Sequence, residues 1–126
     1  MNDAAKKWVK ALRSGEYKQG KELLREGDKF CCLGVACELA VKEGIINNPK
    51  IIQKPFVSHV SPLYEYEKKT THLPEKVMKW LGLRDNEGGF FTGRKKRKYL
   101  TTLNDNGRSF KQIARYIELE PKDLFE

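Results

Sequence analysis

The sequence predicts an α+β domain, helix-rich, with a small antiparallel sheet. Three observations predict it. Residues 30–41 form the longest nearly apolar run in the chain, with Glu38 its only charge, so other elements must cover it. Amphipathic stripes at helical spacing lie before and after that run. Between them sit short segments bounded by turn residues, the pattern of a few short strands beside helices. A length of 126 residues fits a single domain over residues 1–126 and can bury a modest core.

The elements follow in order. Asp3 is placed to cap a first helix, in which Ala5, Trp8, Val9 and Leu12 recur on one face and Ser14-Gly15 stop the chain. Residues 16–25, a turn at 26–29 and residues 30–33 read as a β-hairpin, with Gly27-Asp28 supplying the turn. Gly34 then leads into a buried helix over residues 35–42, and Gly44 stands where a left-handed residue would end it. Residues 45–71 lose periodicity; residues 56–60 suit at most a short edge strand between Pro55 and Pro62, and residues 63–68 alternate well enough for another. Pro74 suits the first position of a helix carrying Val77, Met78, Trp80 and Leu81, closed by Gly82. Tyr99, Leu100 and Leu103 suggest a helix leaving the basic run and ending at residues 104–107. Ser109 with Gln112 spells a capping box for a last helix built on Phe110, Ile113, Ala114 and Ile117. Pro121 ends that helix and leaves Leu124 and Phe125 to dock back.

Charge is distributed unevenly. There are 25 Lys and Arg against 17 Asp and Glu, a net charge of +8. Five of those cations are consecutive: Arg94, Lys95, Lys96, Arg97 and Lys98. A local concentration of this kind suggests a site more than a general solubility device. Cys31, Cys32 and Cys37 are odd in number and crowded, so they read as free thiols. No run has the length of a signal peptide core or a membrane span, which points to a soluble protein of a reducing cytoplasm.

Several of these segments together resemble a small protein family carried by tailed bacteriophages and prophages. They are Trp8 with residues 11–19, the run at residues 30–37, Leu73-Pro74-Glu75 with Trp80-Leu81-Gly82-Leu83, and residues 103–107 with Ser109-Phe110 and Ile113-Ala114. The match covers most of the chain and leaves residues 45–71 outside. The resemblance implies a gene product acting in the cytoplasm of a bacterial host. It carries over no catalytic or binding residue.

Candidate sites are few. If a helix starts near Lys96, its N–H groups and the cations of residues 94–98 converge on one place and suit phosphate. Arg108, Lys111 and Arg115 extend that anion-binding patch if the last helix packs nearby; otherwise the run is a solvated loop. Residues 99–117 also look like a helix–turn–helix, with Lys111, Gln112, Arg115 and Glu118 facing outward. Arg13, Tyr17, Gln19, Asn104 and Asp105 could line a small polar pocket, or simply hold their turns. Cys31, Cys32 and Cys37 with His59 and His72 contain zinc-type ligands, but not at zinc-site spacing, so no metal is expected. No cofactor is implied.

No carboxylate pair, catalytic triad or glycine-rich phosphate loop stands out, which makes an enzyme the weakest class. The sequence suggests a binding protein that engages an anionic ligand, either nucleic acid or a signalling nucleotide, through the basic loop. Alternatives are an inhibitor docking on a host protein, in host takeover or anti-defence, and a helix–turn–helix regulator of DNA. No membrane partner is expected.

Overall fold

The computed structural model describes residues 1–52, 61–93 and 96–126. Among them are five helices and two small sheets, an α+β arrangement around one continuous apolar core. None of these helices is long and apolar enough to cross a membrane.

Helix α1 (Asp3–Ser14) buries Ala5, Trp8, Val9 and Leu12, the stripe its spacing dictates, and ends at Gly15 in the left-handed region. Its cap is Asn2 and not the expected Asp3. The Asn2 side-chain oxygen accepts the Ala5 N–H at 2.8 Å, while its amide nitrogen donates to the Trp80 carbonyl at 3.0 Å. Both ends of one amide are therefore used, something an Asp cannot do. Asp3 instead sits in the first turn, where a negative charge suits the helix dipole. The Trp8 indole N–H donates to the Cys32 carbonyl at 2.9 Å, tying α1 to the buried helix.

The hairpin forms where expected, from β2 (Arg25–Glu26) and β3 (Lys29–Phe30). Its predicted first arm is divided, however. Residues Lys18–Gln19 form β1, which pairs parallel to β3 on the other side, so this sheet is mixed and not purely antiparallel. The cause is local: a tight turn from the Leu23 N–H to the Lys21 carbonyl at 2.7 Å, with Glu22 at φ 65, reverses the chain between the two segments. That reversal carries Leu24 into the core, where it is fully buried.

The apolar run enters a helix earlier than expected. Helix α2 spans Cys32–Lys42, with Cys31 as its cap, so the strand ends at Phe30 and does not continue to Leu33. The Cys31 sulfur accepts the Gly34 N–H at 3.4 Å. Gly34 lies within the first turn, and a Cβ there would stand 1.7 Å from the Leu24 carbonyl oxygen. Only glycine lets α2 lie so close to that backbone. Gly44 is left-handed just beyond the helix.

The five-stranded sheet is ordered β1-β3-β2-β5-β4, with β4 (Lys50–Ile52) and β5 (Leu63–Glu65) antiparallel. Strand β5 falls within the alternating segment; β4 was not expected, because it is an exposed edge with no buried alternation to mark it. The strand expected at residues 56–60 lies outside the described residues. Helix α3 (Glu75–Leu81) is capped by Pro74, one residue before its expected place, and ends at left-handed Gly82.

Strands β6 (Gly89–Thr92) and β7 (Lys96–Tyr99) form a second hairpin. This corrects the helix expected from Lys96: helix α4 begins only at Leu100 and runs to Asp105. Pairing with Phe90, Phe91 and Thr92 across the hairpin holds residues 96–98 extended, and the strand sends consecutive cations to alternate faces. Helix α5 (Phe110–Glu118) carries the capping box of Ser109 and Gln112 and buries Phe110, Ile113, Ala114 and Ile117. Leu124 docks back fully buried, and Phe125 bridges Leu83.

Candidate functional site: a basic groove beside the last helix

Asn104 is the one buried polar residue among those described, and it joins three segments. Its side-chain oxygen accepts the Cys32 N–H at 3.1 Å and the Gln19 amide at 2.9 Å; its nitrogen donates to the Gly20 carbonyl at 2.8 Å. Gln19 also donates to the Arg108 carbonyl at 2.7 Å, and Asp105 accepts the Glu22 N–H at 2.8 Å. Three residues of the expected small-ligand pocket, Gln19, Asn104 and Asp105, are thus brought together. They are occupied with one another and with backbone, and hold α4 against β1 and α2. Arg13 is elsewhere, paired with Glu118 at 2.5 Å, and Tyr17 packs edge-on to Phe30 while accepting from Lys42 at 3.1 Å. Among the described residues Arg13 lines a concavity beside α1 that none of the other four reaches.

The basic run divides in a similar way. Arg97 lies across from Phe91 in the β6–β7 ladder and its guanidinium sits 5.8 Å from that ring and 5.4 Å from Tyr99. It also pairs with Asp85. The other Asp85 oxygen accepts the N–H groups of Glu87 and Gly89, each at 2.9 Å. Partial burial pushes the Asp85 carboxyl up, but the Gly89 and Glu87 N–H groups and the Arg97 guanidinium together outweigh it and hold it below its ordinary value. Gly89 makes room for the pair, since a Cβ there would stand 2.8 Å from the Arg97 Nε. Lys96 and Lys98 point to the opposite face of the strand. Arg94 and Lys95 lie outside the described residues. The described cations of the run, Lys96, Arg97 and Lys98, are therefore divided between two faces.

What the fold does assemble is a groove between β7, α4 and the start of α5. It encloses about 530 Å³ and is lined by Arg97, Lys98, Tyr99, Thr102, Asn106, Arg108 and Gln112 among others. No carboxylate lines it. Among the described residues none lies within 4.0 Å of the charged ends of Lys98, Arg108, Lys111 or Arg115. A second concavity of about 340 Å³ shares Arg108 and Gln112 and continues along α5 past Arg115 and Tyr116 to Leu119. Lys111 lines neither; it stands one turn before Arg115 on the exposed flank. Thr102, Asn106, Tyr116 and Leu119 were not singled out from sequence, although 112, 116 and 119 recur at helical spacing beside the buried face.

The remaining polar groups are engaged in packing. Burial pushes the Cys31 thiol up to about 11 and those of Cys32 and Cys37 well above the usual range, so none is a ready nucleophile. His72 is held by Thr71 at 2.6 Å and by Glu87 at 2.6 Å, and His59 lies outside the described residues. Among the described residues no group of three His, Cys, Asp or Glu could hold a metal ion. Glu38, the single charge of the apolar run, accepts the Tyr66 hydroxyl at 3.0 Å and lies 3.8 Å from Arg25. The Arg25 guanidinium in turn covers the Tyr64 ring at 3.9 Å.

Neither the curated proteins nor the solved structures contain a match to this chain. Residues 1–121 match a family described as a domain of unknown function, DUF8296, and the chain belongs to that family.

Proposed function

We propose that this is a binding protein that holds a phosphate-bearing ligand, nucleotide or nucleic acid, in the groove between β7, α4 and α5. The observation that carries the reading is a concavity lined by Lys98 and Arg108 with no carboxylate among its lining residues. Unopposed cations around a concave surface raise the local concentration of anions and shorten their search. The concavity beside α1, by contrast, includes both Arg13 and Glu118, which neutralise each other. The phage setting in a bacterial cytoplasm, implied by the resemblance of the sequence, belongs to the same proposal.

Reading of duplex DNA by α5 is less well supported. Of its outward side chains, Gln112 closes the capping box and Glu118 is paired with Arg13, so two of the four are already committed. The test is binding of a fluorescent oligonucleotide at low salt by the wild type and by the Lys98→Glu, Arg108→Glu double variant. Both positions are exposed, so the variant should fold normally. Affinity is expected to fall by about tenfold or more, since two phosphate contacts become repulsive. Equal binding by the two proteins would place the ligand elsewhere.

A further inference from the structure

We infer that the groove takes single-stranded nucleic acid, with phosphates on the Lys98–Arg108 side and an unstacked base against Tyr116 and Leu119; this rests on the reading above. The two concavities are neighbours that share Arg108 and Gln112, and they differ in character. The first is polar and cationic. The second is floored by the Tyr116 ring and by Leu119, which at 71% exposed is an uncovered large apolar side chain. Tyr116 packs against the buried Phe90 ring, with centroids 5.9 Å apart, which restrains it before any ligand arrives.

Charge and shape together select the occupant. A free phosphate would use only the cationic end. A duplex keeps its bases stacked inside and offers edges and backbone, neither of which fills an apolar hollow between a phenol ring and a leucine. A single strand offers a charged backbone and exposed base faces side by side, the combination that stacking platforms within basic grooves recognise. The spacing also fits. Gln112, Arg115 and Leu119 follow α5 at helical intervals, with Arg108 just before the helix, and a rise of about 1.5 Å per residue makes the helical part of the trough roughly 10 Å long, enough for one or two nucleotides. Such binding is tolerant of sequence, because every base has a π-face and phosphate contacts read no bases.

The test is fluorescence anisotropy at low salt with four probes: short oligothymidylate, a strand of the same length made of abasic sites, a duplex of the same length, and thymidine monophosphate as competitor. The single strand is expected to bind about tenfold or more tighter than the abasic strand or the duplex, the discrimination that stacking of a base provides. Leu119→Ala and Tyr116→Leu should each remove most of that preference and leave abasic binding unchanged; Leu119 is exposed, so its variant serves even if the Tyr116 one unfolds. Equal binding of all three polymers, with loss of all three in the Lys98→Glu, Arg108→Glu protein, overturns this inference and leaves the groove reading intact. Monophosphate competing as tightly as the strand overturns it in favour of a nucleotide. Binding of no probe by the wild-type protein overturns both.

Discussion

Asn104 and Gly34 show how single residues hold this fold. Removing the Asn104 amide would strand the buried Cys32 N–H and the Gly20 carbonyl and leave the Gln19 amide with only the Arg108 carbonyl. Orphaned buried polar groups are costly, so Asn104→Ala should lower the unfolding free energy by roughly 3 kcal/mol in urea titrations. Gly34→Ala should cost on the order of 3 kcal/mol as well, because the new methyl meets the Leu24 backbone and not a side chain that can swing away. The three cysteines predict a different readout: at about pH 8 they should stay silent to a thiol reagent in the native protein and all react once urea unfolds it. The stop of α4 at Asn106-Gly107 could be read from sequence, whereas Asn104 and Asp105 belong to the helix itself and Gly34 lies inside α2 and not at its joint with the strand. Their partners could not be read, since nothing in the local pattern says that Leu24 lies against Gly34 or that Gln19 reaches Asn104, 85 positions away.

At the scale of elements, the hairpin of β6 and β7 is where charge and fold meet. Asp85 has a depressed folded pKa, so its contribution to stability is present above the unfolded value of about 3.9 and is lost as pH falls through the folded value. Asp85→Asn keeps the oxygen that accepts from Glu87 and Gly89 and removes only the ion pair with Arg97. Its urea midpoint should fall below that of the wild type at neutral pH, and the two midpoints should converge once the carboxyl is protonated; a gap of constant size down to acid pH would contradict the assignment. Helices α1 and α5 were legible because each repeats its apolar residues over two or more turns beside a clear stop or cap. The short strands were harder. Strand β1 has two residues and β4 is wholly exposed, so neither carries the alternation that marks a half-buried strand. The Lys96 segment misled for a related reason: Lys96, Arg97 and Lys98 carry no apolar alternation of their own, and their strand is specified by pairing across the hairpin with Thr92, Phe91 and Phe90.

For the molecule as a whole, the basic surplus matters less by its amount than by where folding leaves it. Arg97 is turned onto Asp85 and two aromatic rings, while Lys98 and Arg108, ten positions apart in the chain, come to share one groove. The cations themselves were visible in the sequence; the groove was not, because it arises where β7, α4 and the start of α5 meet. The measurement that tests the central claim most directly is the salt dependence of oligonucleotide binding by the wild type and by a Lys98→Ala, Arg108→Ala protein. If both side chains contact phosphate, the slope of log affinity against log salt should flatten by roughly 0.7 for each contact removed, about 1.4 in all. An unchanged slope in the double variant would contradict it.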